Sequence, residues 1–342
     1  MTSKLEINQT RFEEIIGKFK NIDPVIVLGD VGIDKYTYGE VERISPEAPV
    51  PVLNVHKEWL KLGMAANISH NLKTLSIDSS LFGIMGDDDN SKHLENLLED
   101  NGLKTWGMVP LDGRKTTFKE RVLTGVQQIC RVDYETIKTL DKEELKQVQT
   151  RLTDLYEGHS AVILEDYAKG MVTPDLAKWA IEFFNEKGIF VAVDPGRKVP
   201  ARTYTGASLL KPNFKESIEL VESLGHYTKD PKEIAKILSG ELKVEKIVIT
   251  LGGDGILIYE SSQPEKSEIL PTIKTEVFDV SGAGDTVISL LTSAIVAGAT
   301  LKEAAIIANC GAGVVVAKKG TATVDQEELS KYFKRYTKVL SQ

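Results

Sequence analysis

Short apolar runs alternate along the chain with longer stretches in which apolar residues recur every three to four positions. The runs predict strands at residues 25–28, 80–83, 161–165, 190–194, 208–210, 246–250 and 256–259. The amphipathic stretches predict helices at 65–75, 91–101, 142–156, 174–187 and 231–239. Strands with little polar alternation are buried on both faces, and helices between them call for a mostly parallel sheet covered on each side. Ligands of such sheets sit beyond the carboxyl ends of the strands.

Two segments break this rhythm. Residues 36–58 carry Pro46, Pro49 and Pro51, which argue against a helix. Residues 115–134 read KTTFKERVLTGVQQICRVDY, a β-rich stretch punctuated by Gly125 that predicts a hairpin. Together they predict a small sheet apart from the main layers; a lid over an active site and an edge extension are both open on this ground.

The chain has 342 residues, 42% hydrophobic and 27% charged, enough for one large α/β domain over residues 1–342. No apolar run reaches the roughly 18–20 residues of a membrane span. The N-terminus lacks the apolar core and small-residue cleavage site of a secretory signal. Cys130 and Cys310 are the only cysteines, too few for a disulfide framework or a zinc site. A cytoplasmic location is therefore the expectation. The net charge of −8, with both signs well mixed, argues against a nucleic-acid surface.

The chemistry concentrates at residues 279–285, DVSGAGD, just before a long apolar stretch. The amides of Gly282, Ala283 and Gly284 would lie at a helix N-terminus, where unpaired donors and the helix dipole favour an anion. Asp285 follows in the first turn, placed to take a proton from an attacking hydroxyl. An ordinary helix cap would look the same in isolation. Asp30 and Asp34 follow the first strand and suit sugar hydroxyls, since each carboxylate oxygen accepts charge-strengthened hydrogen bonds. No G-x-x-x-x-G-K-[ST] loop, protein-kinase motif or dinucleotide fingerprint occurs.

The DVSGAGD stretch resembles the C-terminal signature of PfkB sugar kinases, a resemblance that extends through most of the chain. It implies a ribokinase-like three-layer α/β/α sandwich with a small β-sheet lid, formed by segments near 36–58 and 115–134. It implies Asp285 as catalytic base, the amides of Gly282, Ala283 and Gly284 as anion hole, and ATP with Mg2+ as donor. On the nucleotide side it implies Asn213, Thr250, Gly252, Gly255 and Asn309, with Glu216 of the N-x-x-E motif helping to place magnesium through water. Asp279, with the main chain near 318–320, matches a monovalent-cation site of some relatives.

A narrower likeness is to kinases of D-glycero-D-manno-heptose 7-phosphate. It is carried by RISPEAPVPV at 43–52, TTFKERVL, QQICRVDYE, DYAKG at 166–170 and AGVVVAKKGTATV, spanning residues 25 to 324. It implies sugar contacts at Gly63, Asn67, Asp166 and Lys169. Lys119 and Arg121 alternate on one strand and share a face, as do Arg131 and Asp133 on the next, consistent with a phosphorylated acceptor. Two departures stand out: Met64 where relatives carry the second glycine of G-G-A-A-N, and Gly196-Arg197 after Asp194-Pro195 where the heptose group has D-P-K. The chain ends where a kinase domain would, so a kinase without an adenylyltransferase is the expectation. Cys130 and Val132 lie opposite Arg131 and are the candidates for a homodimer contact through the lid. The alternatives are a kinase for another sugar or sugar phosphate, and a nucleotide- or sugar-binding module without catalysis.

Overall fold

The computed structural model describes residues 7–125 and 127–341. The first six residues of the segment read for a signal, and Val126 in the predicted hairpin, lie outside them. The strands in chain order are β1 (Val25–Gly29), β2 (Val31–Ile44), β3 (Pro51–Met64), β4 (Ser79–Gly86), β5 (Met108–Leu111), β6 (Thr117–Leu123) and β7 (Gln128–Tyr134). There follow β8 (Ala161–Glu165), β9 (Phe190–Asp194), β10 (Leu209–Leu210), β11 (Lys246–Thr250), β12 (Ile256–Glu260) and β13 (Glu268–Leu270). The helices are α1 (Gln9–Gly17), α2 (Ala65–Thr74), α3 (Asp89–Asp100), α4 (Lys142–Leu155), α5 (Pro174–Glu186), α6 (Phe214–Ser223), α7 (Pro231–Leu242), α8 (Ala283–Val296), α9 (Leu301–Val315) and α10 (Gln326–Leu340).

Nine strands form the main sheet in the order β13-β12-β11-β10-β9-β8-β1-β4-β5. From β5 to β11 all pairs are parallel; β12 and β13 add antiparallel edges. Alternate residues of each central strand enter two separate apolar cores. Val25, Val27 and Ile163 join α1, α2, α3, α8, α9 and α10 on one face, while Ile26, Leu28 and Leu164 join α4, α5, α6 and α7 on the other. This double burial explains why the strands read as unbroken apolar runs. The terminal helices α1 and α10, outside the predicted set, meet through stacked rings of Phe12 and Phe333 at 4.1 Å.

The second sheet has the order β3-β2-β6-β7 and forms the lid. Only Asp30 separates β1 from β2, so the lid grows directly from an interior strand of the body. The predicted hairpin is the antiparallel pair β6–β7. Pro46 and Pro49 fall in the turn between β2 and β3, and Pro51 opens β3, positions that need no ladder donor. Side chains alternate across the lid: Asp34, Tyr36, Arg121 and Arg131 share the face toward the body, whereas Val55, Cys130 and Val132 lie opposite and exposed. No helix among the described residues is long and apolar enough to cross a membrane.

Candidate active site

Parallel register lines up charged residues at the carboxyl ends of four adjacent strands. Gly29 pairs with Glu165 and Glu165 with Asp194, while Leu210, the residue before Lys211, pairs with Val193. The Lys211 ammonium meets the Asp194 carboxylate at 2.7 Å, both buried. Burial pushes Asp194 above the ordinary carboxyl range despite Lys211 pulling it down. Glu165 is pushed well up by burial and by neighbouring Asp194 and Asp285, and its Oε2 has no hydrogen-bond partner. Asp166 accepts from the Tyr204 hydroxyl at 2.6 Å and the Ala168 amide at 2.7 Å, and burial raises it to about 6.

Helix α8 enters this cluster end-on. Gly282 caps it with φ +79°, and a Cβ there would stand 2.8 Å from Asn67 Nδ2, so both conformation and space require glycine. The Ala283 amide donates to the Val280 carbonyl at 3.2 Å. The Lys211 ammonium and Asp194 carboxylate lie 3.7 and 3.8 Å from where a Cβ on Gly284 would stand. Asp285, buried in the first turn, accepts from Asn67 Nδ2 at 2.6 Å and from the Tyr167 hydroxyl at 3.0 Å. Burial raises its pKa, while these two donors and Lys211 oppose the shift by favouring the carboxylate. The carboxylate is thus held between Asn67 of α2 and Tyr167 of the loop after β8.

The lid is tied to the body through Thr321. Its hydroxyl donates to Asp34 Oδ2 at 2.8 Å, its amide donates to the Tyr36 hydroxyl at 2.8 Å, and its carbonyl accepts from Lys61. Asp34 Oδ1 takes Arg121 at 2.5 Å, and Arg121 also lies over the Tyr36 ring at 5.5 Å. A Cβ on Gly63 would meet the Asp34 carboxylate at 3.2 Å. Lys119 from β6 and Lys169 from the loop after β8 converge on Glu135, at 3.2 and 2.6 Å. Arg131 pairs with Asp133 at 2.8 Å on the more exposed rim. Asp30, predicted as a sugar ligand, accepts instead from the amides of Tyr167, Lys169 and Met171 at 3.0–3.2 Å, and so shapes the DYAKG loop.

The residues predicted for the nucleotide stand farther along the sheet. Thr250 ends β11 beside Asn213, and the TLGGDG segment is the turn of the β11–β12 hairpin. Gly252 has φ +60°, and a Cβ on Gly255 would stand 2.0 Å from the Leu270 carbonyl, so the turn itself needs both glycines. Asn213 and Glu216 form a reciprocal cap on α6, each bond 2.9 Å. Burial, then Asp194, raises Glu216. Asn309, buried, donates to the Pro271 carbonyl at 2.9 Å. Asp279 accepts from the Ser281 amide at 2.9 Å in the segment leading to Gly282, where Val277, Phe278 and Val280 expose apolar side chains.

Sequence reasoning singled out neither Tyr167, Lys211, Thr321 nor Glu135. Tyr167 lies inside DYAKG and Lys211 two residues before Asn213, so adjacency to a motif was the available signal. Thr321 lies inside AGVVVAKKGTATV and Glu135 closes QQICRVDYE, but neither motif marks them individually, because their partners are distant in sequence.

A family model described as pfkB family carbohydrate kinase matches residues 27–328. Bifunctional protein HldE of Sulfurimonas denitrificans is 38% identical over 314 residues, covering 90% of this chain and 64% of that protein. The protein of the same name from Caulobacter vibrioides is 41% identical over 310 residues, covering 90% and 62%. The chain thus spans about 64% of the length of the first such relative. Among solved structures, Arabidopsis thaliana ribokinase complexed with ribose and ATP superposes with a TM-score of 0.71 at 20% identity, covering 92% of this chain and 99% of that one. Phosphofructokinase-2 from Escherichia coli in complex with substrates and products gives 0.75 at 18% identity, covering 92% and 100%. A buried carboxylate at the N-terminus of α8, a strand-end charge cluster and a β-lid are thus set in a ribokinase-like frame, and the chain belongs to the pfkB family of carbohydrate kinases.

Proposed function

We propose that the chain transfers the γ-phosphoryl group of ATP to a sugar phosphate, D-glycero-β-D-manno-heptose 7-phosphate, at its anomeric hydroxyl. The observation that carries the reading is Asp285, a buried carboxylate at a helix N-terminus held by Asn67 and Tyr167. The acceptor hydroxyl lies against it and gives up its proton as its oxygen attacks the γ-phosphorus in line, with ADP leaving. Charge on the transferred group meets the amides of Gly282 and Gly284 and the Lys211 ammonium below Gly284, the Ala283 amide being taken by the Val280 carbonyl. The exposed Val277, Phe278 and Val280 offer apolar surface to the adenine.

A magnesium ion, when bound, neutralises phosphate charge. Among the described residues no three His, Cys, Asp or Glu side chains are grouped to hold a metal directly. The unpartnered Oε2 of Glu165 and the raised carboxyls of Asp194 and Glu216 fit the water shell of a hard cation.

The heptose phosphate assignment rests on RISPEAPVPV and DYAKG, with the match to Bifunctional protein HldE in support. Lys119 and Lys169, brought together from lid and body, hold the acceptor's phosphate, with Arg121 and Arg131 lining the same face. The setting is cytoplasmic, and two lids pair through the apolar face around Val55 and Val132.

An ADP-release assay with heptose 7-phosphate, free heptose, fructose 6-phosphate and ribose tests the substrate. Lys119→Met should cost the phosphorylated acceptor about tenfold or more in kcat/KM and the free sugar far less. Clear preference for ribose or fructose 6-phosphate would overturn the heptose assignment and leave the kinase standing. Sedimentation at micromolar concentration tests the pairing, and a monomer counts against it.

A further inference from the structure

Met64 stands where a side chain is not welcome. At the junction of β3 and α2 it has φ +59° and ψ −139°, a backbone region glycine enters freely and other residues avoid. It is only 5% exposed, yet it belongs to neither apolar core. Its sulfur lies 3.0 Å from where a Cβ on Gly32 would stand. Gly32 precedes Asp34 and Tyr36 at two-residue spacing, so that position is on the lid face turned toward the body. Gly63, its cross-strand partner, leaves the same face open beside the Asp34 carboxylate. The thioether therefore fills a gap between two glycines on the cleft side, three residues before the Asn67 that holds Asp285.

Resting on the sugar-phosphate kinase reading, we infer that Met64 sets the size of the acceptor by narrowing the cleft at Gly32. A thioether is a weak hydrogen-bond acceptor, so the part of the sugar against it presents carbon and hydrogen rather than a hydroxyl needing a partner. Removing the side chain opens the cleft to a bulkier acceptor.

Three variants separate space from backbone. Met64→Gly removes the thioether and suits the backbone, Met64→Ala removes it and keeps the unfavourable φ, and Met64→Leu retains apolar bulk. The readout is the ratio of kcat/KM for heptose 7-phosphate over the one-carbon-shorter mannose 6-phosphate, with melting temperature as the control for folding. Met64→Gly should raise this ratio about tenfold or more, the scale on which a pocket weighs a single carbon. Met64→Ala should move it the same way, Met64→Leu should stay within about threefold of wild type, and the glycine variant should melt at or above the alanine one. An unchanged ratio in the folded glycine and alanine variants overturns the inference while leaving the kinase reading intact. Failure of wild type and variants alike to turn over any sugar phosphate overturns that reading, and the inference with it.

Discussion

The hydroxyl of Thr321 donates to the carboxylate of Asp34 at 2.8 Å, although 287 residues separate the two. Asp34 belongs to the lid and Thr321 to the segment after α9, so this bond and its neighbours hold the lid against the body. Tyr36 and Lys61 bind the amide and carbonyl of the same threonine, so three lid residues converge on one residue of the body.

Thr321→Val keeps the shape and both main-chain bonds while leaving Asp34 Oδ2 without this donor and the Tyr36 hydroxyl without its 2.9 Å contact to the Thr321 oxygen. A buried acceptor left unpaired costs about 1–3 kcal/mol. Chemical denaturation should show a loss in that range, and the KM for the acceptor should rise because the lid is less firmly placed. A variant as stable as wild type with unchanged KM would show that this bond does not hold the lid.

Asp285→Asn preserves size and removes the proton acceptor. Turnover should fall about 10²–10⁴-fold, the usual worth of a positioned base, while the circular dichroism spectrum and ATP binding persist. Near-normal turnover would exclude Asp285 as the base.

Tyr167→Phe removes one of the two donors that favour the Asp285 carboxylate. Loss of a bond to the charged form raises the pKa, so the acid limb of the kcat/KM profile should move to higher pH. An unmoved limb, or one shifted to lower pH, would place the catalytic titration elsewhere.

Asp166 is raised from 3.8 to about 6 chiefly by burial. The native state therefore binds more protons than the unfolded chain between these values, and stability falls as pH rises through them. The shift corresponds to about 3 kcal/mol, fully present below the unfolded pKa and lost above the folded one. Asp166→Asn should flatten this part of the curve of unfolding free energy against pH. Parallel curves for wild type and variant between about pH 4 and pH 7 would refute the assignment.

Much of the fold was legible along the chain because its determinants are local. Runs such as VIVLG and AVILE read as strands buried on two faces, and the glycines of DVSGAGD precede an apolar helix with Asp285 in its first turn. The β-hairpin of the lid was legible in the same way. Side-chain partners were not. Periodicity places Asp30 at the end of β1, but only the tertiary arrangement turns its carboxylate onto the amides of Tyr167 and Lys169 in DYAKG and of Met171 just after it. Likewise it commits Asn309 to the Pro271 carbonyl, brings Tyr167 to Asp285, and sets Lys211 against Asp194. The order of nine strands and their register choose these neighbours, through contacts whose partners lie tens to hundreds of residues apart. Sequence by itself determined which chemical groups stand at the strand ends; tertiary structure decided which of them meet, because a hydrogen bond depends on ångström-scale position that local periodicity does not encode.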